Sequence, residues 1–246
     1  MPRFFLPEEA FCTDTVVING EDASHISRSL RMKTGDALTL CDMNNTDYFC
    51  VIESIDSDSV TVRVREKGRS KSEMPCRTVL YQAVAKGEKM DVIVQKAVEL
   101  GVCEIVPVES ERCVAKIPPD AEEKKIRRWQ KIAKEASGQC GRGVIPRVMP
   151  KMSYAEAVKR MKQSPLALLC YEGENTVPLG TLFDLDENAP AEISFFIGPE
   201  GGISPDEVRL ALENGIRACG LGPRILRTET ASSYMLSAIS FRFERD

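Results

Sequence analysis

Residues 192–207 read Glu-Ile-Ser-Phe-Phe-Ile-Gly-Pro-Glu-Gly-Gly-Ile-Ser-Pro-Asp-Glu. The first six are an apolar run of strand length. The last four are a helix start, with Ser204 as N-cap, Pro205 at the first helical position and Glu207 placed to close a capping box. Between them lies a turn with three glycines and a proline, Gly198 to Gly202. In an α/β sheet such a turn stands at the carboxyl end of a strand, where ligands bind. Glycines there let a ligand approach the backbone. A tight strand-to-helix turn would account for one glycine; Gly-Pro-Glu-Gly-Gly favours binding.

The pattern repeats on either side. Strand candidates are 78–85, 104–108, 166–171, 192–197 and 216–221. Helix candidates are 89–100, 121–137, 154–163, 205–214 and 228–243. Alternating strands and helices imply an α/β domain with a parallel sheet. Two more loops follow strand candidates: Cys170-Tyr171-Glu172-Gly173-Glu174, and Leu221-Gly222-Pro223-Arg224-Ile225-Leu226-Arg227-Thr228-Glu229. Three neighbouring strands ending in such loops can converge on one pocket. Thr228 is a natural N-cap for the last helix, and Glu229 would complement its dipole.

Upstream, residues 1–70 read as a small β-rich domain, with strand candidates 15–18, 37–42, 48–55 and 59–66. In the last of these Val60, Val62 and Val64 alternate with Thr61, Arg63 and Arg65. Short strands at this spacing suggest a small barrel. A short helix is expected over 22–30. On it His25, Arg28 and, roughly, Arg31 would share one face, with Lys33 just beyond. Residues 66–76 are polar and aperiodic and read as a linker, leaving 77–246 as the second domain.

Composition narrows the function. The chain has 246 residues, a formal net charge of −4 and 28% charged residues. That balance argues against binding nucleic acid by bulk charge, although residues 116–147 carry nine basic residues against four acidic ones. The nine cysteines form no CxxC pair and His25 is the lone histidine, so no metal site is expected. An odd cysteine count within apolar runs reads as reduced thiols in the cytoplasm. The first residues lack the apolar core of a signal peptide, and no apolar run reaches membrane-spanning length. Neither GxGxxG nor GxxxxGK[ST] occurs.

The segments IGPEGGIS, LGPRILRTETA, EASGQCGR, KGEKMDVIVQKAVELGV and HISRSLRMKTGD, in their relative places along nearly the whole chain, closely resemble the RsmE family of 16S ribosomal RNA (uracil-N3)-methyltransferases. The resemblance implies a SPOUT methyltransferase domain, an α/β fold with a C-terminal trefoil knot, preceded by a PUA-like β-barrel that binds RNA. It implies S-adenosylmethionine as cofactor, a homodimer, and 16S rRNA or the 30S subunit as partner, methylated at uridine N3. On that reading Cys170, Ile197, Gly198, Pro199, Gly201, Gly202, Leu221, Gly222, Leu226 and Thr228 are the cofactor candidates. Arg227 would stabilise charge developing on the uracil oxygens; Glu229 would serve as base or orient Arg227, with Glu200 as the second carboxylate. Arg3, His25, Arg28, Arg31, Lys33 and Arg142 are the RNA-contact candidates. Two readings stay open beside it: a related methyltransferase acting at another RNA site, and a non-catalytic RNA-binding assembly factor.

Overall fold

A computed structural model describes residues 1–174, 176–183 and 189–244. Arg245 and Asp246, at the end of the span expected for the second domain, lie outside the described residues. The chain divides into two units. The first is Met1–Glu73 with Ser137–Ile145; the second is Met74–Ala136 with Pro146–Asp246.

The first unit is a five-stranded sheet of β1 (Arg3–Phe5), β2 (Thr15–Asn19), β3 (Ala37–Cys41), β4 (Thr46–Ile55) and β5 (Ser59–Arg69), in the order β1-β3-β4-β5-β2. The alternation in β5 works as the pleat requires: Val60 and Val62 are buried, while Arg63 and Arg65 are exposed. Their core partners include Phe4, Ile18, Leu38, Leu40 and Ile52. Residues 66–69, expected within a linker, instead continue β5, paired to Thr46–Phe49 of β4. The ladder is a backbone property, and exposed charged side chains on both faces hide it from periodicity.

The helix expected over 22–30 is broken into α1 (Gly20–Ser24) and one turn of π-helix, His25–Ser29. Arg31 lies beyond it at φ +52°, so it does not share a helix face with His25 and Arg28. All three, and Lys33, are exposed.

Ser137–Ile145 returns to the first unit and is held by a buried charge. Arg142, at 2% exposure, pairs with Glu73, and the Glu73 carboxylate also accepts from the Gly143 and Val144 amides at 2.9 and 3.2 Å. Arg3 pairs with Asp47 at 2.7 Å and donates to the Arg142 carbonyl at 3.2 Å. Arg3 and Arg142 are therefore committed inside the unit, which corrects their assignment as phosphate contacts. A buried arginine must be paired, and sequence alone does not reveal which ones are buried.

The second unit contains β6 (Arg77–Ala83), α2 (Lys89–Glu99), β7 (Glu104–Glu109), α3 (Pro119–Cys140, its last residues counted in the first unit), β8 (Arg147–Val148), β9 (Met152–Ser153), α4 (Tyr154–Met161), β10 (Leu166–Cys170), β11 (Val177–Pro178), α5 (Leu179–Phe183), β12 (Glu192–Ile197), α6 (Pro205–Glu213), β13 (Arg217–Gly220) and α7 (Thr228–Phe243). Its sheet is parallel in every pair and runs β11-β13-β10-β12-β6-β7-β8, with β9 on β7. The central strand β12 is buried on both faces from Ile193 to Ile197, as a near-continuous apolar run in a covered parallel sheet should be.

Candidate active site

The sheet register builds the site. Cys170 of β10 is opposite Ile197 of β12 on one side and Cys219 of β13 on the other. Three adjacent strands therefore end within one residue of one rung, and the three loops read from the sequence leave the sheet together. Tyr171 N–H donates to the Cys219 carbonyl at 3.0 Å, which extends that rung by one bond.

The turn after β12 takes its shape from glycine and from the cap of α6. Gly202 has φ +72°, a conformation few side chains tolerate. A Cβ on Gly198 would stand 2.8 Å from Ile203 Cγ1, so only hydrogen fits. Ser204 and Glu207 close the expected capping box. Glu207 Oε1 also accepts from the Glu111 amide at 2.8 Å, which ties the helix start to the loop after β7.

The loop after β13 is pinned by one hydroxyl. Thr228 Oγ1 donates to the Gly198 carbonyl at 2.8 Å and accepts from Gln82 Nε2 at 2.8 Å, with Thr228 and Gln82 both buried. Gln82 lies opposite Ile197 in the register. The expected capping role of Thr228 is thus corrected: the N-cap position belongs to Arg227, with extended backbone and no side-chain cap bond. The Thr228 hydroxyl is spent joining two loops.

These loops enclose a cavity of about 370 Å³. Of the cofactor candidates, Cys170, Ile197, Gly198, Pro199, Gly202, Leu221, Gly222, Leu226 and Thr228 line it, and so do Glu200 and Arg227. Gly201 is outside the wall; a Cβ there would meet the Arg112 carbonyl at 2.9 Å. Glu229 is also absent from the wall. Tyr171, Glu172, Arg224, Ile225 and Lys89 line it without having been singled out. The first four sit in loops whose position was readable, but which side chains face inward was not. Lys89 comes from a segment distant in sequence, the quoted KGEKMDVIVQKAVELGV, whose pattern does not say which of its charges reaches the cavity.

Lys89 organises the acidic side of the cavity. Its Nζ is 2.9 Å from Glu200 Oε1 and 3.6 Å from Glu229 Oε2. Glu200 Oε1 also accepts from the Lys86 amide at 3.2 Å. Partial burial pushes the Glu200 carboxyl up, but the Lys89 hydrogen bond and the backbone amides outweigh it and hold the carboxyl below its usual range. The Glu200 bond in turn raises Lys89. Glu229 Oε2 is buried with no hydrogen-bond donor. The role of orienting Arg227 finds no contact here: the Glu229 carboxylate faces Lys89. Arg227 is exposed at the cavity and, among the described residues, has no carboxylate within ion-pair distance. The Cys170 thiol is pushed well up by its hydrogen bond with Cys219, Sγ to Sγ 3.8 Å, and by burial, so it is inert apolar wall. Among the described residues no group of three or more His, Cys, Asp or Glu side chains is placed to hold a metal ion, and no helix is long and apolar enough to cross a membrane.

Comparison with known proteins agrees with this architecture. The family described as RNA methyltransferase domain matches residues 72–240, and the RNA methyltransferase PUA domain matches residues 18–65. The class is therefore an RNA methyltransferase in which an α/β domain follows a PUA-like one. Ribosomal RNA small subunit methyltransferase E of Bacillus subtilis is 37% identical, over 99% of this chain and 98% of its own. The crystal structure of a ribosomal RNA small subunit methyltransferase E from Neisseria gonorrhoeae, bound to S-adenosylmethionine, superposes with a TM-score of 0.86 at 32% identity, covering 99% of this chain and 98% of that one. A Legionella pneumophila methyltransferase in complex with bound S-adenosylmethionine gives 0.86 at 33% identity, over 97% and 96% of the two chains. The chain belongs to the ribosomal RNA small subunit methyltransferase E family.

Proposed function

We propose that this protein transfers a methyl group from S-adenosylmethionine to N3 of one uridine in 16S rRNA. The observation that carries the reading is the single cavity with Gly198 and Leu226 both in its wall, at the carboxyl ends of β10, β12 and β13. Its residues suit the cofactor. The volume is that of a small-molecule site. Ile197, Leu221, Leu226 and Ala231 supply apolar wall, and the glycine turns bring backbone groups to the surface. The cofactor supplies an electrophilic methyl group when bound.

The chain's own residues must hold the uracil nitrogen in line and manage its proton. N3 is a poor nucleophile until that proton leaves, and negative charge then spreads to the ring oxygens. Arg227, without a carboxylate partner at the cavity, is the cation for that charge. Glu200 is a weak proton acceptor, because Lys89 holds its carboxyl low. Its better role is to fix Lys89 and the turn after β12. Glu229 acts from behind the wall, through Lys89.

His25, Arg28, Arg31 and Lys33 would contact the RNA backbone from the first unit. The homodimer, the trefoil knot, the cytoplasmic location and the 30S subunit as substrate belong to the same proposal. So does the contiguous division at 1–70 and 77–246 as folding domains. The test is methyl transfer from labelled cofactor to naked 16S rRNA and to 30S subunits, followed by mass-spectrometric mapping. One 3-methyluridine supports the reading; a label on ribose or on another base refers the activity to a different RNA site.

A further inference from the structure

The first unit has a second hollow, of about 270 Å³, whose wall includes no residue of the basic segment at His25–Lys33. Phe11, Tyr48, Arg65, Lys67, Asp14 and Glu66 form most of its wall. The Phe11 and Tyr48 rings are stacked, with centroids 3.9 Å apart and planes within 14°. Both are only partly buried against the core. Lys67 is the register partner of Tyr48, which puts a cation directly across the ladder from the aromatic pair.

Arg65 arrives by a local irregularity. Val64 pairs with Cys50, and Glu66 pairs with Phe49, so Arg65 is the extra residue of a bulge. Bulges bend a strand and re-aim a side chain. Charge bookkeeping separates these two cations from their neighbours. Arg63 is paired with Glu53 and Arg3 with Asp47. Arg65 and Lys67 are exposed, and among the described residues neither makes an ion pair. An aromatic platform beside two cations that make no ion pair, in a wall that also carries Asp14 and Glu66, has the elements of a single-strand nucleic-acid site: π-faces for a base, cations for the adjoining phosphates.

We propose that this hollow holds one unpaired nucleotide of the RNA substrate, its base against the Phe11–Tyr48 pair and its phosphates against Arg65 and Lys67. Asp14 and Glu66 accept hydrogen bonds only, so the site favours a base carrying an exocyclic amino group, such as cytosine, over uracil, which has none. The inference rests on the reading of the protein as an enzyme acting on RNA, and it places a second contact away from the reacting base.

The test is anisotropy titration of the full chain with labelled single-stranded oligoribonucleotides, all-cytidine against all-uridine, at several salt concentrations. Arg65→Gln/Lys67→Gln should weaken cytidine binding about tenfold and flatten the salt slope by about 1.4, for two phosphates lost from a single strand. Tyr48→Leu should weaken it about 5- to 150-fold, the range for loss of one stacked base. Thermal melting reports whether Tyr48→Leu still folds; the charge variant keeps the test alive if it does not. Wild-type affinity and salt slope in the charge variant would overturn the proposal. Equal binding of the two oligomers would overturn its base preference. If no oligomer binds while rRNA is still methylated, the hollow is not a site and the enzyme reading stands. If methyl transfer also fails, that reading goes with it.

Discussion

Replacing Thr228 with valine tests the hinge of the site. The side chains have the same shape, so packing is preserved while the hydroxyl goes. Two bonds disappear, each 2.8 Å: the buried one from Gln82 Nε2 and the part-buried one to the Gly198 carbonyl. A buried polar group left without a partner costs about 1–3 kcal/mol, so the two together cost about 2–6 kcal/mol before relaxation. At about 2–4 °C per kcal/mol for a protein of this size, the melting temperature should fall by roughly 4–24 °C. Affinity should fall too, because the hydroxyl is what locks the loop after β13 onto the turn after β12. A loss of about 1.4 kcal/mol in cofactor binding is a tenfold rise in Kd. The assay is thermal melting with and without S-adenosylmethionine, and calorimetric titration of the same samples. Thr228→Ser keeps the hydroxyl and should track wild type in both. If Thr228→Val melts within a degree or two of wild type and binds the cofactor equally well, the pinning argument is wrong.

Three further outcomes are expected. Arg227→Ala should abolish methyl transfer while calorimetry still shows cofactor binding; near-normal turnover removes Arg227 from the chemistry. Arg142→Met should cost about 1.5–3 kcal/mol in denaturant titration, because it takes the charged donor from Glu73 and leaves that half-buried carboxylate only the Gly143 and Val144 amides, and a loss under about 0.5 kcal/mol means the pair holds nothing. Lys89→Met acts on Glu200, whose lowered folded pKa gives stability present above the unfolded value of about 4.3 and lost as pH falls through the folded one. Removing the lysine raises that folded pKa toward the unfolded one, so the Glu200 contribution shrinks and the acid limb of the melting-temperature profile should be shallower than in wild type. Superimposable acid limbs would show that Lys89 does not hold Glu200.

What could be read in advance follows the physics of each signal. The strand at Glu192–Ile197 and the helix at Thr228–Phe243 are observed at the ends expected for them, because a fully apolar strand and a helix after a glycine-proline turn are local statements. The cavity was legible for a similar reason: each loop carries its own glycines, and parallel topology brings neighbouring strand ends to one edge. The two- and three-residue strands, such as Arg3–Phe5 and Val177–Pro178, are too short to show a period. Pairings between distant residues were invisible. Arg142 looked like an exposed cation at the end of a basic helix; only the fold sets Glu73 against it. Lys89 lies within the segment KGEKMDVIVQKAVELGV, but only the fold places it beside Glu200 and Glu229.

The central claim is that the ends of β10, β12 and β13 form one cavity for a methyl donor. Calorimetric titration of S-adenosylmethionine into the wild-type chain and into Leu226→Trp, which would fill that cavity, tests it directly. The account predicts saturable binding by the wild type and its loss in a variant that still melts normally. Absence of binding by the wild type, or undiminished binding by Leu226→Trp, would contradict it.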